Sequence, residues 1–322
     1  MIQENKQPSE DDLFLGSLKV STTGKKRAKI GCVYAAGGTG KSGLCSLIDN
    51  VFFMTIESGN DWLLNTPMFR NDKGISVIPQ NIAQARAMFK ILVSKKLREE
   101  RGFPPETTTI VIDSLGSYEK LVMADVIANH PTVGKDSREV RSITDLGYDG
   151  RGWAMDYWDA GIAKKQDGTQ MAGGGTLFGF ARAMVKQGIN VVFITHAKRQ
   201  NEVSGGGDSF KVWDLDLMDY GAYSVPQLIK KECDFVLFMK TNKLIVQKTE
   251  GSGQWSRTNT VASSDSSGLQ VMIQCRENSM AYAKARISDE MKLNDYYLMS
   301  PSNRKEIADK IFNALFERNN HV

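Results

Sequence analysis

The sequence predicts an α/β fold in which a mostly parallel sheet is covered by helices on both faces, with a late antiparallel hairpin. Short apolar segments rich in β-branched and aromatic residues recur along the chain, and each is too short for a buried helix. Segments with apolar residues at helical spacing lie between them. The apolar segments are hydrophobic at successive positions, which is typical of strands buried on both faces of a parallel sheet.

The first half of the chain contains three predicted strands and two predicted helices. The strands are the apolar segments 30–34, 51–56 and 108–112. Residues 80–100 are predicted as one helix because their apolar residues recur every three to four positions. Residues 115–129 are predicted as the second helix.

Helices and strands continue to alternate in the second half. The predicted elements are helix 176–187, strand 191–194, helix 226–232, strand 234–239, a hairpin that pairs 244–246 with 271–273, strand 281–287 and helix 303–318. The last helix is amphipathic. Its inward-facing residues are predicted to be Ile307, Ile311, Phe312, Leu315 and Phe316.

The order of these elements predicts one enlarged core rather than two equal domains. The core spans residues 29–290 and carries insertions at about 130–175, 200–224 and 251–268. A polar N-terminal arm, 1–28, precedes it, and a helical segment, 291–322, follows it.

The composition excludes several classes of protein. The 41 Lys and Arg residues nearly balance 37 Asp and Glu residues, for a net charge of +4. This balance excludes a histone-like nucleic-acid binder, although not a local basic patch. The four cysteines form no CxxC pair, which disfavours zinc and redox motifs. The sequence has neither a secretory signal nor an apolar segment of membrane-spanning length, so we expect a cytoplasmic protein without a membrane partner.

The strongest motif is AAGGTGKS at residues 35–42, which follows the first predicted strand. It matches the phosphate-binding P-loop pattern, GxxxxGK[ST], with alanine at the first position. The backbone of such a loop wraps phosphates, its lysine reaches the β- and γ-phosphates, and its hydroxyl binds Mg²⁺. The predicted nucleotide-binding residues are Ala36, Gly37, Gly38, Thr39, Gly40, Lys41, Ser42 and Gly43. A glycine-rich turn without a ligand is the alternative.

Two carboxylates follow predicted strands. Asp113 ends the strand at 108–112, where a carboxylate can hold Mg²⁺ together with Ser42. Ser114 follows it, so the general base must come from elsewhere. Glu57 ends the strand at 51–56 and is the predicted base that activates the attacking water. The alternatives are a helix-capping role for Asp113 and a solvated strand-end position for Glu57.

Polar residues also follow the strand at 191–194. Thr195 and His196 are predicted to sense the γ-phosphate, with a purely structural role for the histidine as the alternative. Lys198 and Arg199 are either phosphate contacts or part of a solvated basic turn, and the second interpretation is favoured.

Lys284 and Arg286 lie on one face of a predicted late strand. Such a pair can reach the γ-phosphate of a neighbouring subunit. A charge pair on an edge strand is the alternative.

These motifs, in this order, resemble the RecA-like P-loop ATPases. The matching segments are AAGGTGKS (35–42), TIESG (55–59), IVIDS (110–114), NVVFITHAKR (190–199) and AKAR (283–286). More narrowly, the chain resembles phage-encoded nucleotide-binding recombination ATPases related to single-strand annealing proteins. The resemblance implies ATP and Mg²⁺ as cofactors and a role on single-stranded DNA in phage recombination or replication, in a bacterial host cytosol. It also implies a homo-oligomer in which Lys284 and Arg286 act in trans, and a single-strand-binding protein as a possible partner.

In RecA-like proteins the loops before and after the strand that carries the γ-phosphate sensor face DNA, and the resemblance implies this role for 130–175 and 200–224. Here they combine cations, which hold phosphates, with aromatic residues, which stack on bases. These residues are Lys135, Arg138, Arg141, Arg151, Lys164 and Lys165 with Tyr148, Trp153, Tyr157, Trp158 and Trp213. Because the loops also contain many acidic residues, an ordered surface subdomain or an oligomer contact is the alternative.

Two other functions remain open at this level. One is a small-molecule P-loop kinase, with Arg138, Arg141 and Arg151 as lid residues. The other is an ATP-switched assembly protein that does not bind DNA.

Overall fold

The structure is a computed structural model, and its described residues run from 27 to 317 with gaps. The described ranges are 27–63, 65–133, 137–159, 176–203, 209–242, 245–250, 257–262, 270–287 and 291–317. The arm predicted at 1–28 lies almost entirely outside them, as do parts of the three predicted insertions.

The described residues form fifteen strands and eight α-helices. The strands are β1 (Ile30–Ala35), β2 (Val51–Thr55), β3 (Thr109–Asp113), β4 (Thr132–Val133), β5 (Arg138–Glu139), β6 (Asn190–Val203), β7 (Ser209–Leu215), β8 (Asp219–Tyr220), β9 (Tyr223–Ser224), β10 (Phe235–Asn242), β11 (Ile245–Glu250), β12 (Arg257–Ala262), β13 (Gln270–Gln274), β14 (Lys284–Ala285) and β15 (Tyr296–Met299). The helices are α1 (Lys41–Cys45), α2 (Ile82–Val93), α3 (Lys95–Glu100), α4 (Leu115–Asn129), α5 (Gly147–Trp158), α6 (Leu177–Lys186), α7 (Val225–Glu232) and α8 (Arg304–Leu315).

Within the described residues the main sheet is parallel at its centre and antiparallel at one side. The order β10-β1-β6-β3-β2 is parallel throughout. β13 and β14 join β10 in antiparallel orientation, and β15 pairs with β13. The predicted α/β class, with a mostly parallel sheet and late antiparallel strands, is confirmed.

Both faces of the sheet are buried. On one face Ile30, Cys32 and Tyr34 of β1 pack in the cluster that contains α2, α4, α5, α6 and α7. On the other, Val33 and Ala35 pack with α1 and α8. Every residue of β1 is therefore buried, which explains why its sequence is continuously apolar rather than alternating.

The C-terminal helix confirms its predicted orientation. Its five predicted inward-facing residues are all buried, namely Ile307, Ile311, Phe312, Leu315 and Phe316. The segment predicted as helical at 291–322 also contains β15, which was not predicted. Its alternation of exposed and buried residues spans only four positions, too few for a clear sequence pattern.

The helix predicted at 80–100 is in fact two helices. Ser94 has extended backbone angles (φ −84°, ψ 112°), which ends α2. Its Oγ then accepts a hydrogen bond of 3.3 Å from the backbone N–H of Leu97 and caps α3. A serine that caps a helix competes with continuing the preceding one, and apolar spacing alone does not reveal that competition.

The predicted pairing of 244–246 with 271–273 is wrong. β11 pairs with β12, from Ile245 opposite Ala262 to Glu250 opposite Arg257. β13 instead pairs with β10, which continues as far as Asn242. The nearer partner closes a shorter loop, which costs less conformational entropy. The strand predicted at 281–287 is reduced to Lys284–Ala285.

The described parts of two predicted insertions, 130–175 and 200–224, contain helices and strands. β6 is 14 residues long and continues past the sheet to form a hairpin with β7. In the 130–175 region α5 packs into the core, and Trp158 is fully buried. Trp158 is therefore a core residue and is not available to stack on a base. No helix among the described residues is long and apolar enough to cross a membrane.

Candidate functional site

A glycine-rich loop joins β1 to α1 at the carboxyl edge of the parallel strands. Gly38 (φ 73°) and Gly40 (φ 91°) adopt left-handed conformations that favour glycine. A Cβ atom added to Gly37, Gly38 or Gly40 would meet no described atom within 4 Å. The hydroxyl of Thr39 donates a 2.8 Å hydrogen bond to the carbonyl of Ala36 and closes the loop. The outer side of this backbone is therefore open to a ligand.

The side chain of Lys41 is buried against this loop. Its Nζ lies 3.3 Å from the carbonyl oxygens of Ala35 and Ala36, and 3.4 Å from Nδ1 of His196. Burial lowers the pKa of Lys41, and the negative charges of Asp113 and Glu57 oppose that shift. The ammonium group is thus desolvated, and the carbonyl oxygens of Ala35 and Ala36 accept its hydrogen bonds.

Ser42 and Asp113, the two predicted Mg²⁺ ligands, are in direct contact. The Ser42 hydroxyl donates a 2.5 Å hydrogen bond to Oδ2 of Asp113, and the Asn60 amide donates to the same oxygen at 3.0 Å. Oδ1 of Asp113 is buried and accepts no hydrogen bond from the described residues. Burial is also the main cause that raises the pKa of Asp113.

These residues fit a magnesium–nucleotide complex. Mg²⁺ prefers hydroxyl and carboxylate oxygens and takes only one or two protein ligands when phosphates supply the others. Ser42 and Asp113 provide that pair. A buried acceptor without a partner calls for an explanation in an otherwise satisfied core, and a bound cation with its waters supplies one. The described residues contain no cluster of three or more His, Cys, Asp or Glu that could form a separate metal site.

Glu57 is held in place by two serines that follow Asp113. Ser114 Oγ donates to Glu57 Oε2 at 2.6 Å, and Ser117 Oγ donates to the same oxygen at 3.1 Å. The register of β2 and β3 places Thr55 opposite Asp113, so Glu57 lies just beyond the same edge of the sheet. Glu57 is half-buried and hydrogen-bonded, which contradicts a freely solvated strand-end position.

Thr195 and His196 lie beside the glycine-rich loop. They stand opposite Tyr34 and Ala35 of β1. The hydroxyls of Thr195 and Thr55 are buried without a hydrogen-bond partner among the described residues. The prediction that these residues follow the end of their strand is wrong, because β6 continues to Val203.

The side chains of Lys198 and Arg199 both contact other residues of the chain. Lys198 Nζ donates to the carbonyl of Leu217 at 3.0 Å, and the Arg199 guanidinium lies 4.7 Å from the centre of the Trp213 ring. These contacts support a structural role for both cations.

Lys284 and Arg286 lie at the opposite edge of the sheet. The backbone N–H of Arg286 donates to Asp234 at the start of β10, whereas Ala35 is opposite Met239 near its end. Five residues of strand separate these levels by about 16 Å, and an arginine side chain cannot cover that distance. Lys284 Nζ donates to the carbonyl of Lys230, and Arg286 is exposed. The two cations are therefore not part of the site in the same protomer.

Sequence reasoning missed three residues of this site, Asn60, Ser114 and Ser117. Asn60 follows Glu57 by three positions and Ser117 follows Asp113 by four. Polar residues shortly after a buried strand are the available signal, but such residues are common in surface turns. The contacts of these three residues with Asp113 and Glu57 can be inferred only once β2 and β3 are known to be neighbours in the sheet.

Comparison with known proteins gives one family. A family model for an AAA domain matches residues 27–287. None of the curated proteins compared with the chain matches it. Among solved structures, a KaiC-like protein from the hyperthermophilic archaeon Pyrococcus horikoshii is 9% identical, covers 85% of this chain and 90% of its own, and has a TM-score of 0.33. Residues 27–287 include every site element described above, and the predicted P-loop core is confirmed.

Proposed function

We propose that this chain, which belongs to the AAA domain family of P-loop ATPases, binds ATP with Mg²⁺ at the carboxyl edge of its sheet and hydrolyses it. The observation that carries the proposal is that residues at the ends of three strands are in contact. Ser42, in the segment that follows β1, donates a hydrogen bond to Asp113 of β3. Ser114, the residue after Asp113, donates one to Glu57, which follows β2. Phosphate binding, metal binding and water activation need these groups within one site.

Each residue has a role in this proposal. The backbone of 36–43 and the Lys41 ammonium hold the phosphates, and Ser42 and Asp113 hold Mg²⁺. Bound Mg²⁺ would neutralise the charge that develops on the phosphate oxygens. Glu57, oriented by its serines, accepts the proton of the attacking water. Thr195 and His196 border the γ-phosphate and respond to its loss.

Two variants test the proposal. Lys41→Ala removes the cation that binds the β- and γ-phosphates, and we expect it to abolish ATP hydrolysis. Glu57→Gln keeps the shape of the site, so we expect ATP binding to be retained while turnover falls by about 10²- to 10⁴-fold. Phosphate release and nucleotide binding are measured on both. Wild-type protein that neither binds nor hydrolyses ATP would contradict the proposal. Unchanged turnover in Glu57→Gln would show that another residue is the general base.

Single-stranded DNA is the proposed partner, in line with the narrower resemblance to phage recombination ATPases. Tyr148 and Tyr220 are exposed, and the Arg151 guanidinium lies 6.0 Å from the first ring and 4.0 Å from the second. Exposed rings beside a cation can stack on bases without reading their sequence. A single-strand-binding protein is a further candidate partner in that setting.

Sizing the protein with and without ATP and single-stranded DNA tests this partner. We expect assemblies that need both ligands, and an affinity for DNA that falls with salt as phosphate contacts are screened. Assembly with ATP alone would support the ATP-switched assembly protein without DNA binding. Two of the three predicted kinase lid residues have partners within the chain, since Arg141 pairs with Glu139 and Arg151 stacks on Tyr220. A phosphate-transfer assay beside the phosphate-release assay tests the kinase alternative.

A further inference from the structure

Gly43, the residue after Ser42, has two neighbours from distant parts of the chain. A Cβ atom at this position would lie 2.8 Å from Nη2 of Arg304 and 3.4 Å from Cη2 of Trp62. The first distance is too short for a real side chain unless the arginine moves. Glycine at this position therefore leaves room for both groups against the first turn of α1.

Trp62 is on the segment that follows Glu57, and its side chain is 59% exposed. An indole is among the most costly side chains to leave in water, because it carries a large apolar area. The exposed ring lies beside Gly43 of the nucleotide-binding segment rather than on a distant surface. It is therefore placed where it can contact a nucleotide held by that segment.

Arg304 is the first residue of α8, and the start of this helix is fixed beside α1. The next residue, Lys305, donates to the Leu47 carbonyl at 3.0 Å and pairs with Asp49 at 2.7 Å. Arg304 itself forms no ion pair within the part of the chain that the structure describes. A guanidinium without a carboxylate next to a phosphate-binding loop is suited to an anion.

We propose that Trp62 and Arg304 form the nucleoside end of the nucleotide site. The P-loop lysine takes the β- and γ-phosphates, so a residue beyond Ser42 on α1 faces the phosphate nearest the nucleoside. Arg304 binds this α-phosphate, and the indole of Trp62 stacks on the base. A larger purine overlaps the indole more fully than a pyrimidine, so the site prefers purine nucleotides. This inference rests on the proposed binding of ATP.

The test is calorimetric titration of the full chain with the magnesium complexes of ATP, CTP and inorganic tripolyphosphate. We expect the wild type to bind ATP more tightly than CTP. Loss of one base–aromatic stack weakens binding by about tenfold, so Trp62→Ala should bind ATP about tenfold more weakly and tripolyphosphate as the wild type does. Trp62→Phe should restore most of the affinity. Arg304→Ala should weaken ATP and tripolyphosphate alike, because both carry a phosphate at the α position.

Matched controls separate these effects from general damage. Tyr296→Ala removes another exposed ring, and Lys310→Ala removes another exposed cation of α8, and both should bind ATP as the wild type does. Wild-type binding in Trp62→Ala or Arg304→Ala overturns the inference while leaving the proposed function intact. A wild-type protein that binds neither ATP nor tripolyphosphate overturns both.

Discussion

At the scale of single residues, the site combines charged groups that burial disfavours. The pKa of Lys41 is lowered and that of Asp113 is raised, and burial is the first cause in both. Each shift means that the charged form is less stable in the folded protein than in water. Charges of opposite sign from a ligand would stabilise both groups. Among the described residues, Asp113 Oδ1 and the Thr195 hydroxyl have no hydrogen-bond partner, which is consistent with a site that is satisfied only when a ligand is bound.

Asp113→Asn should therefore stabilise the protein while abolishing its activity. The variant removes a buried charge, and its amide oxygen can still accept from Ser42 and Asn60. The pKa of Asp113 is raised in the folded state, so its contribution to stability falls as pH increases through its titration range. Urea unfolding should show a stability gain at pH 8 that disappears near pH 3, with ATP hydrolysis reduced at least about a hundredfold. A variant less stable than the wild type at pH 8 would contradict this account.

At the scale of elements, the strands and the site edge were predictable, and the late pairings were not. The apolar segments before Asp113 and Thr195 are too short for buried helices, and apolar residues at every position fit strands buried on both faces of a parallel sheet. Carboxyl ends of parallel strands share one edge, so the residues that follow them were expected to meet. The pairing of β11 with β12 depends on which segment closes the shorter loop, and the break at Ser94 depends on one side-chain hydrogen bond. Neither leaves a periodic signal in the sequence.

Two hydrogen bonds hold the turn that follows β7. Glu119, on α4, accepts a 2.7 Å hydrogen bond from the backbone N–H of Met218. Lys198 of β6 donates to the carbonyl of Leu217. The turn after β7 is therefore held both by the helix that follows Asp113 and by the strand that carries Thr195.

Glu119→Gln should change how stability depends on pH. Burial raises the pKa of Glu119 to about 7, so the folded state holds a proton that the unfolded state releases between roughly pH 4.5 and 7. Stability falls as pH rises through that window. Glutamine keeps the acceptor for Met218 without the charge, so the variant should gain about 1 to 3 kcal/mol over the wild type at pH 8 and almost nothing at pH 4. Urea unfolding at both pH values measures the gain; equal gains at both would show that the charge of Glu119 is irrelevant.

At the scale of the whole molecule, the predicted nucleotide-binding residues and the predicted trans-acting cations lie at opposite ends of the strands of one sheet. The glycine-rich loop, Asp113 and Glu57 lie at the carboxyl edge, whereas Arg286 is exposed near the start of β10. A head-to-tail assembly places different surfaces of neighbouring subunits in contact and generates rings or filaments. Such an assembly is the arrangement in which Lys284 and Arg286 can serve a nucleotide that their own protomer does not hold.

Mixing two inactive variants tests this arrangement. Arg286→Ala keeps an intact nucleotide site but lacks the cation, and Lys41→Ala keeps the cation but lacks a working site. Each should be inactive alone. If the cation acts across an interface, random co-assembly restores about a quarter of the interfaces, those in which an Arg286→Ala site faces a Lys41→Ala neighbour. ATP hydrolysis should therefore reappear when the two proteins are mixed, and should vanish again on dilution below the assembly concentration. A mixture as inactive as its components, under conditions where sizing shows co-assembly, would assign Arg286 to the structural pairing of β14 with β10.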